Sequence, residues 1–281
     1  GFAGSATMLA AKLYGVPVYG TMAHSFVQAH DDETAAFEAF ARSRPDNLIL
    51  LIDTYDTERA AHKVVSLAPR LQAAGIAIRG VRLDSGDLVA LSRSVRRILD
   101  DGGLRHVTIF ASGGLDESEL ARFAAEQAPI DGFGIGTSLT TSFDVPALDC
   151  AYKLQEYAGL PRRKRSTGKA TWPGRKQVWR QYGPDGRMQQ DILSEESDRQ
   201  PGEPLLEAVM RDGRRLQAPP PLAETRARAA DSLMRLPERL RRLEPAAIYP
   251  VRVADSLVTL AAEVDRRLQQ QDESLPEKGR A

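Results

Sequence analysis

Short apolar runs alternate with amphipathic stretches over the first 150 residues. Leu48-Ile49-Leu50-Leu51-Ile52 is continuously apolar, as expected of a strand covered on both faces. The same reading predicts strands over 16–20, 76–83, 107–110 and, more weakly, the glycine-rich 132–136. Between them, residues 57–74 set Ala60, Val64, Leu67 and Leu71 at helical spacing. Residues 88–99 do so with Leu91, Val95 and Ile98, and Ser118 is placed to cap a helix over 119–128. Strands alternating with helices build βα units on a parallel sheet. The expectation is therefore an α/β fold, either a barrel or a doubly wound sheet.

After residue 151 the pattern changes. Residues 161–176 are rich in Pro, Arg, Lys and Gly and read as an ordered loop. Residues 177–182 alternate like a strand, and Gly183-Pro184-Asp185-Gly186 is a turn before a second strand near 187–193. Helices are expected over 222–243, with Pro237 out of place inside it, and over 255–268. No internal repeat is visible.

Apolar residues make up 42% of the 281 residues, enough for a large core without staples. Cys150 is the sole cysteine, which excludes a disulfide framework and any multi-cysteine metal site and fits a reducing, cytoplasmic setting. No apolar run approaches the ~18 residues of a membrane helix, and no signal peptide is visible. The opening Gly1-Phe2-Ala3-Gly4-Ser5 reads like the interior of a domain, so a preceding N-terminal part is expected. Net charge is zero, which argues against a nucleic-acid-coating protein. By segment the balance is −6 over 1–150, +8 over 151–190 and −2 over 191–281. The basic stretch is either a phosphate-holding surface or a solvated face.

Chemistry-bearing residues follow each predicted strand. They are His24 and Ser25; Asp53 and Asp56; Asp84, Ser85, Gly86 and Asp87; Ser112, Gly113 and Gly114; then Gly136, Thr137 and Ser138. Ligand sites of α/β folds form at this edge. His24 suits a base, a phosphoryl acceptor or a structural hydrogen bond, and no second histidine lies at metal-ligand spacing. Asp53 suits either Mg²⁺ or a helix cap. Arg82 and Asp84 project to the same side of a strand end, as a clamp for a carboxylate or phosphate or as an internal pair. The glycine pairs suit a phosphate cradle or tight turns.

Taken together, residues 20–27 (GTMAHSFV), 51–57 (LIDTYDT), 80–88 (GVRLDSGDL), 111–117 (ASGGLDE), 131–139 (DGFGIGTSL) and 168–180 (GKATWPGRKQVWR) resemble nicotinate phosphoribosyltransferase. The resemblance implies an irregular α/β barrel of the type II phosphoribosyltransferase kind, with 1–160 as catalytic barrel core. Residues 161–281 would form C-terminal α+β elements: the basic loop, a hairpin and helices packing on the barrel and on a missing N-terminal domain. It implies a homodimer that makes nicotinate mononucleotide and pyrophosphate from nicotinate and phosphoribosyl pyrophosphate (PRPP), with ATP as co-substrate and Mg²⁺ as cofactor. It places a phosphohistidine on His24 and the nicotinate carboxylate on Ser25 and Arg82. Asp84 would face the ribose or the pyridine, where positive charge develops at the anomeric carbon. Asp53 would help with Mg²⁺. Ser85, Gly113, Gly114, Gly136, Thr137, Lys169 and Lys176 would serve the phosphates. A pyridine-stacking aromatic and a further arginine, normally from the N-terminal segment, have no counterpart here, and 162–167 (RRKRST) is more basic than the family pattern. Three alternatives stand beside this: a nicotinamide-specific sister enzyme, a truncated non-catalytic binding subunit, and an unrelated sugar-phosphate barrel. The third leaves the co-occurring His24 and Arg82 motifs unexplained.

Overall fold

The computed structural model describes residues 1–148, 150–244 and 248–273. The chain divides into two units, Phe2–Leu148 and a second made of Gly1 with Asp149–Ala281.

The first unit runs α1 (Met8–Tyr14), α2 (His24–Gln28), α3 (Glu33–Ser43), β1 (Leu48–Leu51), α4 (Thr57–Ala73), β2 (Ile78–Leu83), α5 (Leu88–Asp101), β3 (Thr108–Ser112), α6 (Glu117–Ala125), β4 (Gly132–Gly134) and α7 (Thr137–Thr141). The four strands are parallel and lie in the order β1-β2-β3-β4. Each strand pairs with the next in sequence, so the crossovers all step the same way. Such a run of parallel strands forms the wall of a barrel and equally one half of a doubly wound sheet.

Four of the connecting helices start on an aspartate whose carboxylate accepts backbone N–H bonds: Asp32 from Ala35, Asp56 from Arg59, Asp87 from Val89 and Ala90, and Asp116 from Glu119. Each such cap is worth about 1 kcal/mol. The cap of α6 is Asp116, two residues earlier than the expected Ser118, because its carboxylate reaches the third N–H of the turn. The helices bury one stripe apiece. On α4 it is Ala60, Ala61, Val64, Leu67 and Leu71; on α5, Leu88, Val89, Val95 and Leu99. Against them pack the strand side chains Leu48, Leu50, Val81 and Ile109, all fully buried.

The expected first strand does not form. Residues 16–20 contribute only a single bridge, Val18 to Ser5. Pro17 has no N–H to give a ladder, and no named strand runs beside the segment. The α2 and α3 helices that follow had no counterpart in the periodicity reading.

The second unit centres on a four-stranded sheet in the order β12-β8-β7-β9. Its strands are β7 (Lys176–Tyr182), β8 (Met188–Glu195), β9 (Glu203–Pro204) and β12 (Val251–Val253). One small ribbon, β5 (Glu156–Tyr157) with β6 (Leu160–Pro161), precedes it in sequence, and another, β10 (Met210–Arg211) with β11 (Arg214–Arg215), falls between β9 and β12. β7 and β8 form the expected hairpin across Gly183–Gly186, where Gly186 takes φ +73. Trp179, Ile192 and Ala254 form its apolar centre. The helix α8 (Leu222–Arg235) stops eight residues short of the expected 243. Leu236 precedes Pro237 and is extended at ψ 132, since a residue before proline is pushed out of the helical region. The last helix, α9 (Asp255–Glu273), buries Leu257, Ala261 and Val264.

Candidate active site

Register decides what meets at the strand ends. Leu51 pairs with Arg82, Arg82 with Phe110, and Phe110 with Gly132. Two residues further along each strand, the same face carries Asp53, Asp84, Ser112 and Gly134. This row is one level above Arg82 and sits where the strands hand over to their loops.

The row is wired together. One oxygen of Asp53, Oδ2, accepts the Asp84 backbone N–H at 2.8 Å and the Ser85 hydroxyl at 2.7 Å. Ser112 Oγ donates to Asp84 Oδ1 at 2.5 Å. The carboxylate of Asp53 is almost wholly buried, with 1% side-chain exposure, and its Oδ1 has no hydrogen-bond donor. Asp84 remains one-third exposed.

His24 opens α2 and faces this pair. Its Nδ1 lies 3.0 Å from Thr54 Oγ1. Its Nε2 points at Asp84 Oδ2, 3.7 Å away, and at Asp53 Oδ1, 3.9 Å away. Those gaps exceed a direct hydrogen bond, so the Nε2 edge is presented rather than consumed. Asp53 does not cap α4; that task falls to Asp56, which leaves the Asp53 carboxylate for the site. Arg82 stands one row below. Its Nη1 donates to Thr21 Oγ1, while Nε is buried with no acceptor. An unpaired buried guanidinium edge is costly and matches an incoming carboxylate in two-pronged geometry.

Gly113 has a backbone reason to be glycine. At φ +90, a Cβ there would stand 2.0 Å from the Asp84 carbonyl oxygen. Gly114 also has a positive φ, +64, but open space around it. Gly136 caps α7 and Thr137 begins it, both exposed. Ser25 is exposed on the first turn of α2, beside His24.

The sequence-predicted residues therefore gather unevenly. His24, Asp53, Arg82, Asp84, Ser85 and Gly113 are brought together at the strand ends. Lys169 and Lys176 belong to the second unit. Lys169 is exposed, with no partner for its ammonium among the described residues. Lys176 Nζ donates to the carbonyls of Trp172 and Gly174 and to Gln155 Oε1, at 2.9, 2.5 and 3.4 Å. Its three donors are spent on its own loop, and burial pushes its pKa below the usual lysine value. Two contributors carried no side-chain role of their own from sequence: Thr54, and Ser112, which was read only together with Gly113 and Gly114 as a phosphate cradle or tight turn. Their position directly beside Asp53 and Gly113 was the available signal.

Comparison with known proteins bears on this geometry. Residues 1–159 match the nicotinate phosphoribosyltransferase (NAPRTase) family. The chain belongs to that family. Residues 200–261 also match the nicotinate phosphoribosyltransferase C-terminal domain. The nicotinate phosphoribosyltransferase pncB2 of Mycobacterium tuberculosis is 51% identical over 238 residues, covering 84% of this chain and 51% of that protein. The nicotinate phosphoribosyltransferase of Bacillus subtilis is 39% identical over 64% of this chain and 38% of its own length. Among solved structures, human nicotinic acid phosphoribosyltransferase matches with a TM-score of 0.80 and 28% identity, over 94% of this chain and 65% of that one. The nicotinate-nucleotide pyrophosphorylase of Pyrococcus furiosus matches with a TM-score of 0.67 and 27% identity, over 83% and 58%. The chain thus spans about half the length of the curated nicotinate phosphoribosyltransferases it matches. The mixed α/β fold with a parallel sheet agrees with the expectation from the sequence.

Proposed function

We propose that this chain carries the catalytic strand ends of an ATP-coupled nicotinate phosphoribosyltransferase of NAD biosynthesis, acting in the cytoplasm as a homodimer. The observation that carries the reading is His24, whose Nε2 edge is held open before Asp84 and Asp53. In the first half-reaction a ring nitrogen of His24 attacks the γ-phosphorus of ATP. An N–P bond forms, the bond to the bridging oxygen breaks, and ADP leaves; water later cleaves the N–P bond and releases phosphate. In the second, the pyridine nitrogen of nicotinate bonds to C1′ of PRPP as the C1′–O bond to pyrophosphate breaks. Asp84 faces the positive charge that develops at C1′. Arg82 offers its unpaired Nε edge, and Ser25 its hydroxyl, to the nicotinate carboxylate.

Mg²⁺ fits here as a companion of substrate phosphates. Among the described residues no group of three or more His, Cys, Asp or Glu side chains forms a metal cage. Asp53, with its donor-free Oδ1, and Asp84 would hold such an ion beside substrate phosphates, where it would neutralise polyphosphate charge. Ser85 and the glycines at 113, 114 and 136, with Thr137, offer hydroxyl and backbone N–H donors to phosphate oxygens. A nicotinamide-specific reading accounts less well for Arg82, because a neutral amide does not offset a buried cationic edge.

The test uses full-length protein with γ-labelled ATP, Mg²⁺, PRPP and each pyridine. We expect label on the wild type, none on His24→Ala, and faster turnover of nicotinate than of nicotinamide. No label on the wild type, or preference for nicotinamide, overturns the reading.

A further inference from the structure

Thr54 touches His24 on the side away from the carboxylates. Its Oγ1 lies 3.0 Å from Nδ1, and no other hydrogen bond of that hydroxyl occurs among the described residues. The neutral imidazole has one N–H to place. Nε2 faces two carboxylate oxygens at 3.7 and 3.9 Å, one of them buried without any donor. Nδ1 faces a hydroxyl that can accept. A free Nε2 lone pair, as a phosphoryl acceptor needs, puts the ring proton on Nδ1, where it is donated to Thr54 Oγ1. The imidazole torsion χ2 is broad and two-fold. His24 is about one-third exposed on a five-residue helix, so packing alone constrains its ring weakly.

We propose that Thr54 is a positioning residue for His24: its hydroxyl bonds Nδ1 and holds the ring in the plane that keeps Nε2 before Asp53 and Asp84. The inference rests on His24 as the phosphoryl acceptor. Thr54 acts through His24 and meets no substrate in this role. The companion on the other side is Ser112, whose bond to Asp84 Oδ1 leaves Oδ2 turned towards His24. The two hydroxyls hold the pair from opposite ends.

The test replaces the hydroxyl without changing the branched shape, Thr54→Val, and restores it with Thr54→Ser. Two readouts are taken on the full-length protein. In ¹⁵N-histidine-labelled samples, with the His24 signals identified by their loss in His24→Gln, the Nδ1 resonance should move in Thr54→Val towards that of an unbonded nitrogen and return in Thr54→Ser. Label incorporation from γ-labelled ATP should fall about tenfold in Thr54→Val, the effect of a lost orienting contact, with KM for PRPP and nicotinate unchanged and the rate recovered in Thr54→Ser. If Thr54→Val is unstable, Thr54→Ala takes its place in both readouts. An unmoved Nδ1 resonance with a wild-type labelling rate overturns the proposal. Absence of label on the wild type would instead refute His24 as acceptor, and the resonance shift would still decide what Thr54 does.

Discussion

Gly113→Ala probes how closely the loops after β2 and β3 must approach. The added Cβ would stand 2.0 Å from the Asp84 carbonyl oxygen, whereas ordinary contact begins at 3.4 Å, so the two chain segments must separate by about 1.4 Å. Neither segment is free to move. The Asp84 N–H is bonded to Asp53 at 2.8 Å and Ser112 grips the Asp84 carboxylate at 2.5 Å. The φ of +90 adds strain of about 1–2 kcal/mol for any residue with a Cβ. Together these give a destabilisation of about 3 kcal/mol, in the range of strain at a special backbone position. Gly114→Ala is the matched control. Its φ is +64 with nothing within 4 Å, so only the left-handed penalty of about 1 kcal/mol applies. Urea unfolding monitored by fluorescence measures both, and the difference should be about 2 kcal/mol at unchanged m-value. His24 labelling should fall in Gly113→Ala and hold in Gly114→Ala, because only the former displaces Asp84. Equal losses of stability in the two variants would refute the close-approach argument.

Other expectations concern the rest of the chain. Asp116→Ala should cost about 1 kcal/mol of stability as the α6 cap is lost, and Ser118→Ala less than about 0.5 kcal/mol; calorimetry or urea midpoints rank them, and the reverse order would contradict the assigned cap. The Tyr249 hydroxyl donates to Asp191 at 3.0 Å, and Asp191 also takes a two-pronged bond from Arg180 at 2.9 and 2.8 Å. Burial, then the bond to Asp191, pushes the Tyr249 pKa from 10.0 up to about 12. A raised folded-state value means the folded chain holds the proton longer than the unfolded one. This contribution is therefore complete below pH 10 and is lost as pH rises towards about 12. Thermal midpoints recorded across that window should fall less steeply in Tyr249→Phe than in the wild type, and identical slopes would reject the assignment.

Much of the first unit was legible because its helices and strands announce themselves locally. Leu48–Leu51 is apolar at every position since both of its faces are covered. The α4 and α5 stripes follow the 3.6-residue period of the faces they bury. The failures were those of local reading as well. Residues 16–20 have strand composition, but a strand exists only with a neighbour to pair with. Ser118 and Asp116 both suit a cap, and the choice rests on which oxygen reaches the Glu119 N–H. Residues 222–243 carry a helical pattern that Pro237 cuts, as its fixed ring and its effect on Leu236 require.

The sequence by itself determined the fold class, the family, and the set of residue types at the strand ends, because periodicity and linked motifs are properties of the chain taken in order. Only the tertiary structure decided which of them act together. Parallel register placed Asp53, Asp84 and Ser112 on one row, though they lie about 30 residues apart. It freed Asp53 from capping, closed Nδ1 of His24 with Thr54, left the Arg82 Nε without an acceptor, and spent the Lys176 ammonium on its own loop. Each of these is a matter of a few ångströms between residues distant in sequence. No pattern along the chain encodes such distances, and hydrogen bonds and ion pairs depend on them steeply.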